Sequence, residues 1–209
     1  MKKIQLKQVL RNKRFVLFTI ILPIGWYIFF DQLQKGVSPS ILLGIAVFIG
    51  VIGNSLATFS KRIASDIGFY SFESHFTSYS VKNYLWDQSI VQLILNSLIF
   101  LAVLVVAVLG FHFPVTTSLL VQFFLLSLMG IYFSVIGFVL GVRVDAKTID
   151  TIGFPVIILA AMTIIPFDTL GASGGFMDLV GKLQRVFPGY YYTKLIQDLT
   201  EKQTIDATQ

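Results

Sequence analysis

The chain has 209 residues, of which 55% are hydrophobic and only 13% charged, with a net charge of +5 and no cysteine. Its mean hydropathy is +0.79. An ordinary soluble domain carries about 25% charged residues, so soluble globular, disordered and disulfide-stapled secreted classes are excluded, together with thiol catalysis and thiolate metal sites. No Asp, Glu, Lys or Arg lies between Gln88 and Val142, or between Gly36 and Ser60. A bilayer crossing needs about 20 apolar residues, and both stretches are long enough.

The first fourteen residues hold Lys2, Lys3, Lys7, Arg11, Lys13 and Arg14, with Leu6, Val9 and Leu10 at helical spacing between them. This pattern predicts a basic amphipathic helix lying on an anionic membrane face rather than a nucleic-acid arm. A signal peptide would share the basic start, but no small-residue cleavage site follows. A first span is predicted over 15–30, with Trp26 and Tyr27 at interfacial depth, and a second over 39–59. The segment 61–87 is too polar to span. Phe69, Phe72, Phe76 and Tyr79 recur in it at helical steps, so one or two amphipathic helices are expected, extending from the membrane or lying along it. The long uncharged run breaks at Gly110, His112 and Pro114, which divides it into spans 90–109 and 119–142. A fifth span is expected over 152–167, containing Pro155 and Pro166, with proline tolerated where neighbouring helices satisfy the freed carbonyls.

The tail, 168–209, opens on a glycine-rich turn. Phe176, Leu179, Val180, Leu183, Val186 and Phe187 then form an apolar stripe, stopped by Pro188 and Gly189. With the N-terminus inside, eleven Lys and Arg flank the inner side and five the outer, which favours a cytoplasmic N-terminus and an outer tail. The expected architecture is an all-α polytopic membrane bundle of about five spans in a single transmembrane domain.

The predicted spans contain no Asp, Glu, Lys, Arg or His. Proton-coupled carriers and intramembrane hydrolases place ionisable groups there, so neither class is expected, and no catalytic or metal-binding residue is assigned. No phosphate-cradling loop exists: at Gly181-Lys182 the next residue is Leu183, and Phe176 stands where the first glycine is needed. His75 reads as a solvated interfacial residue and His112 as a turn residue. Gly130, Ser134, Gly137 and Gly141 form a small-residue ridge, suited to intrachain packing or to a homodimer seam. Asn54 and Asn96 are candidates for a hydrogen bond between helices.

The order of these parts resembles the transmembrane permease subunit of bacterial ABC-2-type (type II exporter-like) transporters. Such subunits begin with an amphipathic helix, as 1–14 does. After the second span they carry a cytoplasmic coupling segment with a Gly, a Glu a few residues on, and a small turn into the next helix. Gly68, Glu73 and Ser78-Tyr79-Ser80-Val81 are similar to that pattern. After the fifth span comes a re-entrant outer hairpin and an aromatic-Pro-x-Tyr stretch, which Phe187-Pro188-Gly189-Tyr190 resembles. The usual family pattern has six spans where five are expected here.

The resemblance implies a non-enzymatic chain that works as a dimer, with a second permease copy and a separate ABC ATPase that binds ATP and Mg. It implies residence in the bacterial plasma membrane in contact with lipid, and no nucleic-acid partner. It implies ATPase coupling through Gly68, Phe72, Glu73, Phe76, Tyr79, Val81 and Tyr84, and an outer gate at Gly174, Phe187, Pro188 and Tyr190. The uncharged spans suit export of an amphipathic or apolar cargo such as a peptide, drug or lipid-like molecule. The alternative is a non-transporting immunity or sensor protein that binds a toxin or peptide at its outer face. A membrane enzyme ranks last, because the spans supply no acid, base or metal ligand.

Overall fold

The computed structural model describes residues 2–33, 37–73, 81–165 and 174–206, and among them every element is helical. Helix α1 (Lys2–Arg11) and the short α2 (Lys13–Phe15) lead into a π-helical stretch, Val16–Ile21, and then α3 (Leu22–Leu33). The wider turn has a local reason. Pro23 has no N–H to bond the Thr19 carbonyl, so the regular ladder is interrupted there. The expected N-terminal helix is present. Its Leu6, Val9 and Leu10, with Phe15, pack on Val91 and Leu95.

Pro39 sits at the first position of α4 (Pro39–Ile52), where its missing N–H is harmless. The helix does not stop at the predicted end of the second span. It passes through a second π-helical stretch, Gly53–Phe59, into α5 (Ser60–Glu73). The first half of the polar segment 61–87 is therefore an extension of a membrane helix. Helix α6 (Val81–Phe111) supplies the second half in the same way.

Helix α6 ends where His112 adopts positive φ, 52°, and the Phe113 N–H turns back to the Ala107 carbonyl. Histidine is among the residues that tolerate this conformation, so it acts here as a helix stop. Helix α7 (Ser118–Arg143) follows, then α8 (Ala146–Met162), α9 (Gly175–Gln184) and α10 (Pro188–Asp206). Asp145 caps α8, accepting from the Thr148 N–H at 2.9 Å and the Thr148 hydroxyl at 2.7 Å. These bonds hold its carboxyl below the usual range.

Among the described residues three helices are long and apolar enough to cross a membrane: Pro39–Gly68, Asn83–Phe111 and Ser118–Arg143. The expected first and fifth spans are shorter. The first is divided between the π-helical stretch and α3. The fifth forms the 17-residue α8, and 166–167 lie outside the described residues.

The helix from Pro39 is the axis of the bundle. In its most apolar window 89% is buried, against 33% for α6 and 28% for α7, whose outer faces expose Leu101, Val105, Leu120, Phe124 and Val135. Lipid is as apolar as leucine, so such faces are ordinary for a membrane helix. Around the axis stand α3, α6, α7, α8 and α10, joined to it in one apolar core that includes Tyr27, Phe48, Ile99, Phe133, Ile164 and Tyr192.

The contact register sets direction. Gln122, Gly130, Gly137 and Gly141 of α7 meet Ser40, Val51, Ser55 and Ser60 in order, so α7 runs parallel to the axis. Asn96 and Gln92 of α6 meet Asn54 and Ser55, so α6 is antiparallel. Gly153 and Ala161 of α8 lie beside Ala57 and the Ile45–Ile49 turn, so α8 is antiparallel too.

Candidate functional site: a coupling segment and a polar seam

The ridge on α7 lies against the axis helix. A Cβ on Gly137 would stand 2.0 Å from the Ser55 carbonyl oxygen, one on Gly141 2.5 Å from the Ser60 carbonyl oxygen, and one on Gly130 2.3 Å from the Asn96 amide nitrogen. Ser134 shares a 3.3 Å hydroxyl contact with Ser55. This face packs within the chain, so it is closed to a second copy. Close backbone approach of this kind brings helices together where no hydrophobic force separates lipid from protein.

Polar side chains gather at the crossing thus created. On α6, Tyr84, Gln88, Gln92 and Asn96 recur every four residues and are all buried, so they form one ridge facing the axis helix. The Asn54 amide donates to the Asn96 side-chain oxygen at 2.9 Å, and the Gln92 amide donates to the Ser55 hydroxyl at 3.1 Å. The two π-helical stretches touch here, and the first brings in the buried Thr19. Demand exceeds supply. The Thr19 hydroxyl, the Asn54 side-chain oxygen, both polar atoms of Gln88, the Gln92 oxygen and the Asn96 amide nitrogen have no partner. Neither do the three guanidinium nitrogens of Arg62, which stands 5.3 Å over the Phe59 ring. π-Helical turns and underpaired buried polar groups both concentrate at functional sites.

The implied coupling residues separate into two groups. Gly68 and Phe72 are exposed on α5. Glu73 is its last residue, and Val81 opens α6. Phe76 and Tyr79 lie outside the described residues, as does His75. Tyr84 does not share the surface. It is buried against Phe59 and Ile63, because it begins the inward ridge of α6. It is a core residue, and among the described side chains of this set the exposed ones are Gly68 and Phe72.

At the opposite end, α8 ends opposite Ile45, Phe48 and Ile49, about 9–15 Å along the axis helix from Pro39 at 1.5 Å per residue. A helix ending in apolar surroundings leaves carbonyls that need partners, and the α9–α10 hairpin provides them. The Gln184 amide donates to the Met162 and Ile165 carbonyls at 2.7 and 2.8 Å, and the Thr193 hydroxyl donates to the Ile164 carbonyl at 3.0 Å. The Gln122 amide donates to the Ser40 carbonyl at 2.8 Å and to the Tyr192 hydroxyl at 3.3 Å.

Of the implied gate residues, Gly174 opens α9 at φ 135°, which favours glycine. Phe187 is exposed, and Pro188 starts α10. Tyr190 is half-buried, edge-on to Tyr191 at 5.4 Å. Neighbouring Gly189 has no room for a side chain beside Ile164. The apolar stripe of α9 faces outward at Leu179, Leu183 and Val186, while Val180 and Gln184 turn inward. Hydrogen-bond demand from α8, not side-chain apolarity, chose the inward face.

Sequence reasoning missed Gln88, Gln92, Arg62, Gln122, Gln184, Thr193 and Tyr192. The four-residue spacing of Gln88, Gln92 and Asn96 within an uncharged run was the available signal. Among the described residues no group of acidic, histidine or cysteine side chains could hold a metal ion. No protein family, curated protein or solved structure matches the chain.

Proposed function

We propose that this chain is the permease subunit of a bacterial ABC exporter, moving an amphipathic or apolar cargo with energy taken from a separate ATPase that carries the ATP and Mg. In this reading the chain makes five passages through the plasma membrane, pairs with a second permease copy, and keeps its N-terminus and the segment 61–87 in the cytoplasm. One observation carries the reading. The described parts of the segment 61–87 are the ends of two long helices, α5 up to Glu73 and α6 from Val81. A partner that grips those two helix ends therefore holds the most buried helix of the bundle and its closest polar neighbour at once. Movement of those ends reaches the polar seam through continuous helix.

The basic α1 and the cations Lys61, Arg143 and Lys147 at the same end suit a cytoplasmic face. The test is affinity purification of the tagged chain from its native membrane. A P-loop ATPase is expected to co-purify, and Glu73→Arg with Tyr79→Asp is expected to reduce its recovery at least fivefold. Undiminished recovery with full stimulated ATP turnover would sink the coupling assignment. Activity that survives loss of the ATPase would favour the immunity or sensor reading.

A further inference from the structure

We infer that Arg62, with Gln88 one turn deeper, forms a phosphate-binding site at the basic end of the bundle, taking the phosphate of an anionic phospholipid headgroup or a soluble phosphate. Arginine stays charged at every physiological pH and carries five N–H donors in a planar fork that matches phosphate oxygens two at a time. Here all three nitrogens are sealed from solvent and none meets an acceptor. A buried, unpaired cation is among the most unfavourable arrangements in a protein. The Phe59 ring beneath it offers only its π face. Asp66, one turn along, and Tyr84 across on α6 act on Arg62 electrostatically, but the Asp66 carboxylate forms no ion pair with it within 4 Å among the described residues.

The neighbourhood adds a second, independent orphan. Gln88 is fully buried with both its amide nitrogen and its oxygen unpartnered. It lies on α6 between Tyr84, which packs at Phe59 and Ile63, and Gln92, which meets Ser55. The register therefore places it beside residues 57–59 of the axis helix, about one turn from Arg62. Two donors of the Gln88 amide extend the Arg62 fork toward one bound oxyanion, and its oxygen is left to accept from a headgroup hydroxyl.

Depth and charge fit a headgroup. Arg62 follows the point where the axis helix passes from Phe59 to Lys61. Trp86 stands level with it on α6 and is 68% exposed, as interfacial tryptophan is. Exposed Lys7, Arg11 and Lys13 lie at the same end and concentrate anions there.

The test is thermal unfolding of the full chain in a zwitterionic detergent. Dioleoyl phosphatidylglycerol is titrated in one arm and inorganic phosphate in another. The wild type is expected to gain at least 4 °C in Tm with phosphatidylglycerol. Arg62→Gln should lose that response and Arg62→Lys should keep part of it. Gln88→Leu should weaken it, while Lys7→Gln with Arg11→Gln should leave it. A response to inorganic phosphate alone assigns the site to soluble phosphate. Asp66→Asn is expected to strengthen the response, and a weaker response would overturn the site by making Asp66 the true partner. Equal shifts in wild type and Arg62→Gln, or none in wild type, would also overturn it. Should Arg62→Gln not fold, native mass spectrometry of the wild type decides: one phosphatidylglycerol retained per chain supports the site, and none refutes it. No ATPase enters either assay, so failure here leaves the permease reading standing, and failure of that reading leaves this site standing.

Discussion

The two ends of the bundle handle buried polar groups in opposite ways. At the α9–α10 end, side-chain donors meet carbonyls at and just after the end of α8 and at the start of the axis helix: Gln184 serves Met162 and Ile165, Thr193 serves Ile164, and Gln122 serves Ser40. Among the described residues only the Tyr27 hydroxyl stands unpartnered there. At the α1 end, Arg62, Gln88, Gln92, Asn54, Asn96 and Thr19 all keep unpartnered atoms. In an apolar medium an unmet polar group is costly. The first end is therefore complete as it stands, and the second is built to be completed by something else or to rearrange. Under the proposed function, force would enter at the second end.

The contrast is broken most severely where the helices touch backbone to backbone. Gly137→Leu drives a side chain into the Ser55 carbonyl. It should abolish the folded species, read as loss of the monodisperse peak after detergent extraction. Gly181→Ala, with open space around it, should be neutral or gain up to about 1 kcal/mol.

The next largest effect sharpens the contrast directly. Gln184→Leu with Thr193→Val strips the partners from three buried carbonyls and should cost about 2–5 kcal/mol in reversible unfolding. Gln88→Leu removes an amide that has no partner, so it should be neutral or stabilising in the absence of ligand. Equal losses at both ends would erase the distinction.

Within the seam, Asn96→Leu orphans the Asn54 amide and should cost about 1 kcal/mol. Asn54→Leu with Asn96→Leu should recover part of that loss, which a double-mutant cycle measures.

The smallest effect is at Asp145. Thr148 holds its carboxyl below the ordinary range, so the folded state binds this proton less readily than the unfolded one. Its contribution is full above the ordinary carboxylate pKa and fades as pH falls through the lowered folded value. Asp145→Asn should flatten the acid limb of the pH–stability curve slightly and leave neutral pH almost unchanged. An unchanged acid limb would remove the cap from the account.

Much of the fold is legible along the chain. Charge spacing bounds the apolar parts of the long helices, because a charged side chain in lipid is expensive and the runs free of them mark what can be buried. Pro39 and Pro188 open helices, and Gly110-Phe111-His112 closes one, because backbone sterics act within a few residues. The basic amphipathic start follows from spacing alone, and Asn54 and Asn96 stand out as polar residues in apolar runs, while their contact with each other is a tertiary finding. Other features depend on neighbours. Tyr84 looks like a surface aromatic in a polar segment, yet it opens a buried ridge, since α6 reaches past the apolar run. The α9 stripe looks like a core face, yet Gln184 turns inward because α8 ends early and its carbonyls need donors. The small-residue ridge fits either a partner copy or the chain itself, and only the approach to Ser55 and Ser60 assigns it to the chain.

By itself the sequence determined an all-helical membrane chain with a basic amphipathic start, since composition and charge spacing control transfer into lipid residue by residue. The tertiary structure alone decided which helix is the axis, which polar groups meet, and that Arg62 and Gln88 are left without partners. Those are properties of pairs distant in the chain, and no local pattern encodes the distance between them.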